Sequence, residues 1–232
     1  MISFTLASFN ICSAHFREGH YTENNLARLA ACIRESGADV VALQEVDRGA
    51  ARSGGVDMPA RLSEMSELAY YYFIKIRDFQ GGEYGTAILS RYPILKKSTM
   101  HYPVRIATQG TSCGYVVLDV NGTAVTVYNT HLSCESEEAN TETLECLGAI
   151  LNEHRAGGGT CLVCGDFNTS PEKVARYLPD MLRAHDGLVT YADRSIDHIL
   201  YTPPITVENT RTIDTQADGT TDHYMLLSEV RV

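Results

Sequence analysis

The sequence predicts an α/β protein with two β layers and helices outside them, and three observations carry that reading. Short apolar runs rich in β-branched residues recur along the chain and alternate with segments of helical spacing. Glycine, asparagine and proline punctuate the boundaries between them. No internal repeat, low-complexity tract or linker interrupts the 232 residues, so one domain over residues 1–232 is the economical organisation.

Residues 3–9 alternate and read as a strand ending at Asn10. Leu26, Leu29, Ala30 and Ile33 have helical spacing, with Gly37 as the stop signal. Residues 39–43 read as a buried strand that runs straight into Gln44 and Glu45. Residues 48–59 hold three glycines and read as a loop, followed by a second helix over 61–68. The middle of the chain is β-rich, with strands expected at 70–76, 86–90, 113–120 and 124–130. Asn121-Gly122 joins the last two as a hairpin, because a type I′ turn needs positive φ. Residues 139–154 read as a helix with Leu144, Leu147 and Leu151 on one face, ended by Gly157, Gly158 and Gly159. A strand over 160–164 leads into Gly165-Asp166. Further strands are expected at 196–201, 205–213 and 224–232, with a turn at Pro203-Pro204.

Hydrophobic residues make up 44% of the chain and charged residues 21%, which suits a packed globular protein and argues against disorder. The formal net charge is -10, from 19 Lys+Arg against 29 Asp+Glu, so no overall positive field attracts polyanions. That weighs against tight nonspecific nucleic-acid binding. A nucleic-acid substrate stays open, since bound metals and a few local arginines invert the charge where a phosphate sits. Seven cysteines form no disulfide framework. Cys161 and Cys164 have C-x-x-C spacing, but they lie in an apolar strand that puts them on opposite faces, which favours packing over zinc or redox chemistry. The N-terminus has no basic, apolar leader and no segment is long enough to span a bilayer, so a cytoplasmic protein is expected. A trimmed signal peptide would leave the same start.

Chemistry-bearing residues stand where apolar strands end. Asn10 closes the first strand and Glu45 the second; Asn129 and His131 close a third, and Asp166 and Asn168 follow a fourth. Asp197 and His198 open another strand, and Asp222 and His223 stand just before the last. Strand ends are rigid supports, and α/β sheets hold ligands beyond them. If these ends converge, four carboxylates share one pocket and repel each other unless a cation joins them. Carboxylate and carboxamide oxygens suit Mg²⁺ or Mn²⁺.

The segments Ser-Phe-Asn-Ile, Leu-Gln-Glu-Val-Asp, Tyr-Gly-Thr-Ala-Ile-Leu-Ser-Arg-Tyr-Pro-Ile, Asn-Thr-His-Leu, Gly-Asp-Phe-Asn-Thr-Ser-Pro, Ile-Asp-His-Ile and Thr-Asp-His-Tyr run in order from Asn10 to His223. Together they resemble the endonuclease/exonuclease/phosphatase superfamily of exonuclease-III-like nucleases, deoxyribonucleases, sphingomyelinases and inositol-polyphosphate phosphatases. The resemblance implies a four-layer α/β sandwich with two mixed β-sheets packed face to face. It implies Glu45 as the main Mg²⁺ ligand (Mn²⁺ being an alternative), assisted by Asn10, with Asp222 on the metal side or behind it. It implies that Asp166 orients or deprotonates the attacking water, that Asn168 holds a phosphate oxygen, and that His131 and His223 contact the phosphate. Asp197 would orient His223 through its second ring nitrogen. Either His223 or Asp166 would serve as the base. The implied reaction is in-line attack of water on phosphorus.

Each residue taken singly has a structural alternative: a turn asparagine, a helix cap, a solvated strand end. Asn129 shares the face of His131 and is expected to support substrate binding. Arg48, Arg52 and Arg61 flank the glycine-rich stretch, where a guanidinium such as Arg52 would grip phosphate or simply be solvated. Tyr84 is expected to line the cleft, and His198 to face away from it. With no tryptophan and no basic helix, a small or accessible phosphoester fits the chain best. A nuclease acting on DNA or RNA, and an inactive phosphate-binding module, are the alternatives.

Overall fold

The computed structural model describes residues 2–16, 19–109, 111–217 and 219–232. The elements run β1 (Ser3–Asn10), α1 (Glu23–Ser36), β2 (Val40–Arg48), α2 (Met58–Ser66), β3 (Tyr70–Phe79), β4 (Gly82–Ser90), β5 (Ile94–His101), β6 (Ser112–Val120), β7 (Thr123–His131), α3 (Glu137–Ala156), β8 (Leu162–Asp166), α4 (Pro171–Tyr177), β9 (Leu182–Arg183), β10 (Asp197–Tyr201), β11 (Thr206–Ile213) and β12 (Met225–Arg231). They form two six-stranded sheets, ordered β11-β12-β1-β2-β4-β3 and β5-β6-β7-β8-β10-β9. Each sheet is mixed. One parallel pair, β1/β2 in the first and β7/β8 in the second, lies among antiparallel neighbours.

Strand alternation sorts the core into three layers of contact. Leu6, Val40 and Ile88 of one sheet meet Val116, Val127 and Leu162 of the other. On the outer face of the first sheet, Phe9, Val41 and Leu43 pack against Leu26, Leu29 and Ile33 of α1 and Leu62 of α2. On the outer face of the second, Tyr128 and Val163 pack against Leu144, Leu147 and Leu151 of α3 and Val174 of α4. Each such buried aliphatic contributes roughly 1.5–3 kcal/mol. The result is helix, sheet, sheet, helix: the four-layer sandwich that the sequence implied.

Local chemistry explains the boundaries. Thr22 accepts from Asn25 N to start α1, and Gly37 ends it in the left-handed conformation. Asn121 and Gly122 both have positive φ, as the hairpin requires. Three boundaries differ from the expectation. Strand β2 continues through the polar pair Gln44-Glu45 to Arg48, because a bulge lets it keep pairing with β4. Helix α2 starts at Met58, since Asp57 accepts from Ala60 N and Pro59 fits a first helical turn. Strand β5, absent from the sequence reading, is a largely exposed edge strand paired with β6. Cys161 and Cys164 lie on opposite faces of their sheet, in different apolar clusters, and all seven cysteines are free.

Candidate active site

Register brings the polar strand ends into one row. In the second sheet Asp166 is the cross-strand partner of His131 on β7 and of Asp197 on β10. In the first, Asn10 pairs with Gln44, directly before Glu45. The segment before β12 adds Asp222 and His223, tied to Tyr191 by an isolated bridge. A cleft of about 480 Å³ opens here, lined by Glu45, His131, Asp166, Asn168, Asp222 and His223 among others.

Glu45 occupies the bulge of β2 and has φ 56°, a conformation uncommon for a residue with a side chain. The bulge turns its carboxylate out of the strand's alternation and into the cleft. Ser13 Oγ holds this turn by donating to Glu45 O at 3.0 Å. Asn10 is fully buried, and its Nδ2 donates both to Glu45 Oε1 at 3.1 Å and to Asp166 Oδ2 at 3.0 Å. Its Oδ1 accepts from Cys12 N, so direct ligation by Asn10 would require the amide to turn.

Asp166 is buried at the end of β8 and accepts at Oδ1 from Asn168 N at 2.9 Å. Burial raises its pKa and the charge of Asp197 adds to the rise, while His131 and His223 oppose it. His131 Nε2 stands 3.6 Å from Asp166 Oδ2, and His223 Nε2 stands 3.8 Å from the same oxygen. His223 Nδ1 meets Asp197 Oδ2 at 2.9 Å, as the resemblance implied. Burial works against charge on His223, but the hydrogen bond and charge of Asp197, with Asp166 and Asp222, outweigh it and raise the pKa to about 9. Asn168 lines the cleft at φ 50°, its Nδ2 donating to Leu132 O at 3.0 Å.

The residues fit a divalent cation on two counts. Hard carboxylate oxygens of Glu45, Asp166 and Asp222 face one cleft, and the charges of Glu45 and Asp222, after burial, help push the neighbouring Cys12 thiol up to about 12. Asp197 Oδ1 is also buried with no hydrogen-bond partner among the described residues. Two donor groups are available. Asp166, Asp197 and His223 offer ligand atoms within 4.8 Å of one another, but His223 Nδ1 already bonds Asp197. Glu45 and Asp222 carry no such commitment to each other.

Three expected substrate contacts are placed differently. Asn129 is a correction: it is fully buried between the sheets, donating to Leu43 O and Ala87 O and accepting from Gln44 Nε2. Its register with His131 suggested the cleft, but the residue end-on to the opposite sheet finds carbonyls there. Arg52 is bound at two points to Asp47, at 2.7 and 2.9 Å, and donates to Ser13 Oγ, so its guanidinium braces the Glu45 turn instead of standing free for phosphate. Tyr84 lies off the main cleft, lining a small side pocket with Arg77 and His131 beneath the Arg52 guanidinium. His198 faces away, as expected, with Nε2 3.0 Å from Thr169 O. Arg48 and Arg61 pair with Glu83 and Glu64. Sequence reasoning missed Ser133, Ser136, Asn140, Tyr191 and Arg194 in the cleft wall, because no strand-end pattern marks them.

Among the described residues no helix is long and apolar enough to cross a membrane. No curated protein sequence matches the chain. Among solved structures, an endonuclease/exonuclease/phosphatase from Beutenbergia cavernae DSM 12333 is similar at 21% identity and TM-score 0.81, over 100% of this chain and 72% of that one. The mannosyl-6-phosphatase of Bacteroides thetaiotaomicron VPI-5482 has 14% identity and TM-score 0.75, over 99% and 100% of the two chains. Truncated TDP2 of Caenorhabditis elegans has 17% identity and TM-score 0.74, over 99% and 98%. At these identities the likeness is one of fold. The sequence profile of the Endonuclease/Exonuclease/phosphatase family matches residues 7–223, which takes in every strand end that meets in the cleft, and the chain belongs to that family.

Proposed function

We propose that the protein is a divalent-metal-dependent hydrolase of phosphoesters, using Mg²⁺ or Mn²⁺. The observation that carries this reading is the shared position of Asp166 Oδ2, bonded by Asn10 and faced by the Nε2 atoms of both His131 and His223. Glu45 and Asp222, with Asn10 beside them, would hold the cation, which polarises a phosphoryl oxygen and offsets charge on the leaving group. Asp166, held by Asn10 and Asn168 N, orients the attacking water and takes its proton. His131 and His223 donate from Nε2 to phosphoryl oxygens as negative charge grows there. Asn168 keeps its second amide hydrogen for the same purpose. Asp197 accepts the Nδ1 proton of His223 and stabilises the imidazolium, so that Nε2 also carries a proton and points it at the cleft. Water adds to phosphorus as the bond to the leaving oxygen breaks, giving an alcohol and a phosphate one ester poorer.

The cleft lining favours a small or accessible ester over a long nucleic-acid strand. Apart from its histidines, Arg194 is the one cation among the described lining residues, so few counterions would be released by a polyanion. The competence of each strand-end residue argues against an inert binding module. The test is hydrolysis of bis-p-nitrophenyl phosphate and p-nitrophenyl phosphate with Mg²⁺, Mn²⁺ or EDTA, alongside Glu45→Ala and Asp166→Ala. Turnover that needs the metal and both carboxylates supports the hydrolase. Failure of the protein to bind Mg²⁺ or Mn²⁺ by calorimetry would sink it.

A further inference from the structure

The cleft wall beside His223 is built by a tight turn that presents one guanidinium. Thr190 N and Tyr191 N both donate to Arg194 O, Arg194 N donates to Tyr191 O at 2.8 Å, and Ala192 has φ 49°. Tyr224 N donates to Thr190 O, while Ile196 N and Asp197 N both donate to Thr190 Oγ1. The turn is therefore pinned to the segments that carry His223 and Asp197. Its Tyr191 ring lies 4.6 Å from the His223 ring, and the Arg194 Cζ stands 4.9 Å over the Tyr191 ring.

Stacking uses the face of a guanidinium and leaves its N–H donors free in the plane, in the fork that matches phosphate oxygens. Arg194 is exposed, lines the cleft and makes no ion pair among the described residues. Beside the cleft's acidic turn Arg52 is committed to Asp47 and Arg48 to Glu83, while Arg77 lies over the Phe79 and Tyr84 rings in the side pocket and does not line the main cleft. Across the cleft, Glu137 is paired with Lys173 Nζ at 2.7 Å, which moderates its repulsion of an anion.

We infer that Arg194 is a specificity-determining residue that grips a second phosphate of the substrate, one not attacked, set a ring's breadth beyond the scissile phosphorus. The spacing follows from Tyr191, which separates the guanidinium from His223. His131, His223 and Asn168 already serve the scissile group, so Arg194 adds recognition and not chemistry. This rests on the hydrolase reading and names its substrate class: esters carrying two phosphates, whether a small bisphosphate or adjacent phosphates of a short oligonucleotide.

The experiment compares wild type, Arg194→Gln and Arg194→Lys on four substrates with Mg²⁺ or Mn²⁺. These are p-nitrophenyl phosphate, an inositol bisphosphate, and a dithymidylate with or without a 5′-phosphate. For substrates with a second phosphate, Arg194→Gln is expected to lower kcat/KM about tenfold or more, mainly through KM, with partial recovery in Arg194→Lys. Turnover of p-nitrophenyl phosphate should stay within about twofold, as for a surface change. The arm with the larger Arg194 dependence identifies the source of the phosphate. Equal losses on all substrates, or none, overturn the inference while leaving the hydrolase standing. If wild type hydrolyses nothing, calorimetry with the inositol bisphosphate decides: binding that weakens in Arg194→Gln supports the site, and binding that is absent or unchanged overturns it.

Discussion

Gln44 of one sheet donates to Asn129 of the other at 2.8 Å, and Asn129 returns two hydrogen bonds, to Leu43 O and Ala87 O. This amide is a polar rivet between the two sheets. Asn129→Leu keeps the volume but leaves buried carbonyls unpaired, so a loss of roughly 2–4 kcal/mol is expected. Urea unfolding measures it. A raised KM at unchanged stability would instead restore Asn129 as a substrate contact.

In the proposed mechanism Asp197 acts through His223, to which it is hydrogen-bonded, and its removal separates orientation from bulk. Asp197→Asn is expected to lower kcat at least about tenfold with little change in KM, since the imidazole loses the carboxylate that keeps it protonated and oriented. Steady-state kinetics with p-nitrophenyl phosphate would show it. An unchanged kcat would mean that His223 does not act from Nε2.

Glu45 holds a left-handed backbone conformation, and the proposed function makes its carboxylate a ligand of the cation. Both Glu45→Ala and Glu45→Gly should abolish metal-dependent turnover. The glycine variant should be the more stable of the two by about 1 kcal/mol, because only its backbone adopts positive φ freely. In a chain of this size that corresponds to roughly 2–4 °C in melting temperature. Equal melting temperatures would show that the bulge is unstrained.

His198 is buried against Phe167 and His185, and burial lowers its pKa to about 4, though the bond to Thr169 O opposes the shift. An unfolded histidine titrates near 6.5, so the folded state binds the proton less readily. The stabilisation is complete above pH 6.5, is lost as the pH falls from there to about 4, and amounts to about 3 kcal/mol. Unfolding midpoints of wild type and His198→Phe between pH 7 and 4 test this. The variant should show the shallower decline, and parallel curves would remove His198 from the account.

Much of the site could be read from where apolar runs stop, because a strand end is the one place where a polar residue can be both rigidly held and exposed. Asn10, Glu45, His131, Asp166 and His223 stand out on that basis. Asn129 was misread by the same rule: two residues short of the strand end, its face meets the other sheet, and only tertiary packing distinguishes the two environments. Tyr191 and Arg194 follow no periodicity, since a turn rather than a strand presents them. Strand β5 escaped because Lys96, Lys97 and Ser98 carry no alternation on an exposed edge.

The single Asn10 nitrogen that touches Glu45 and Asp166 joins residues from different sheets. Glu45 and Asn10 ride on one slab of the sandwich, while His131, Asp166 and Asp197 ride on the other. The proposed constellation is thus a vernier: it aligns only when the two slabs are in correct register, and a slip of about one or two ångströms would misalign it before any strand unravels. Mild denaturant should therefore silence the enzyme while its circular dichroism still reports full secondary structure.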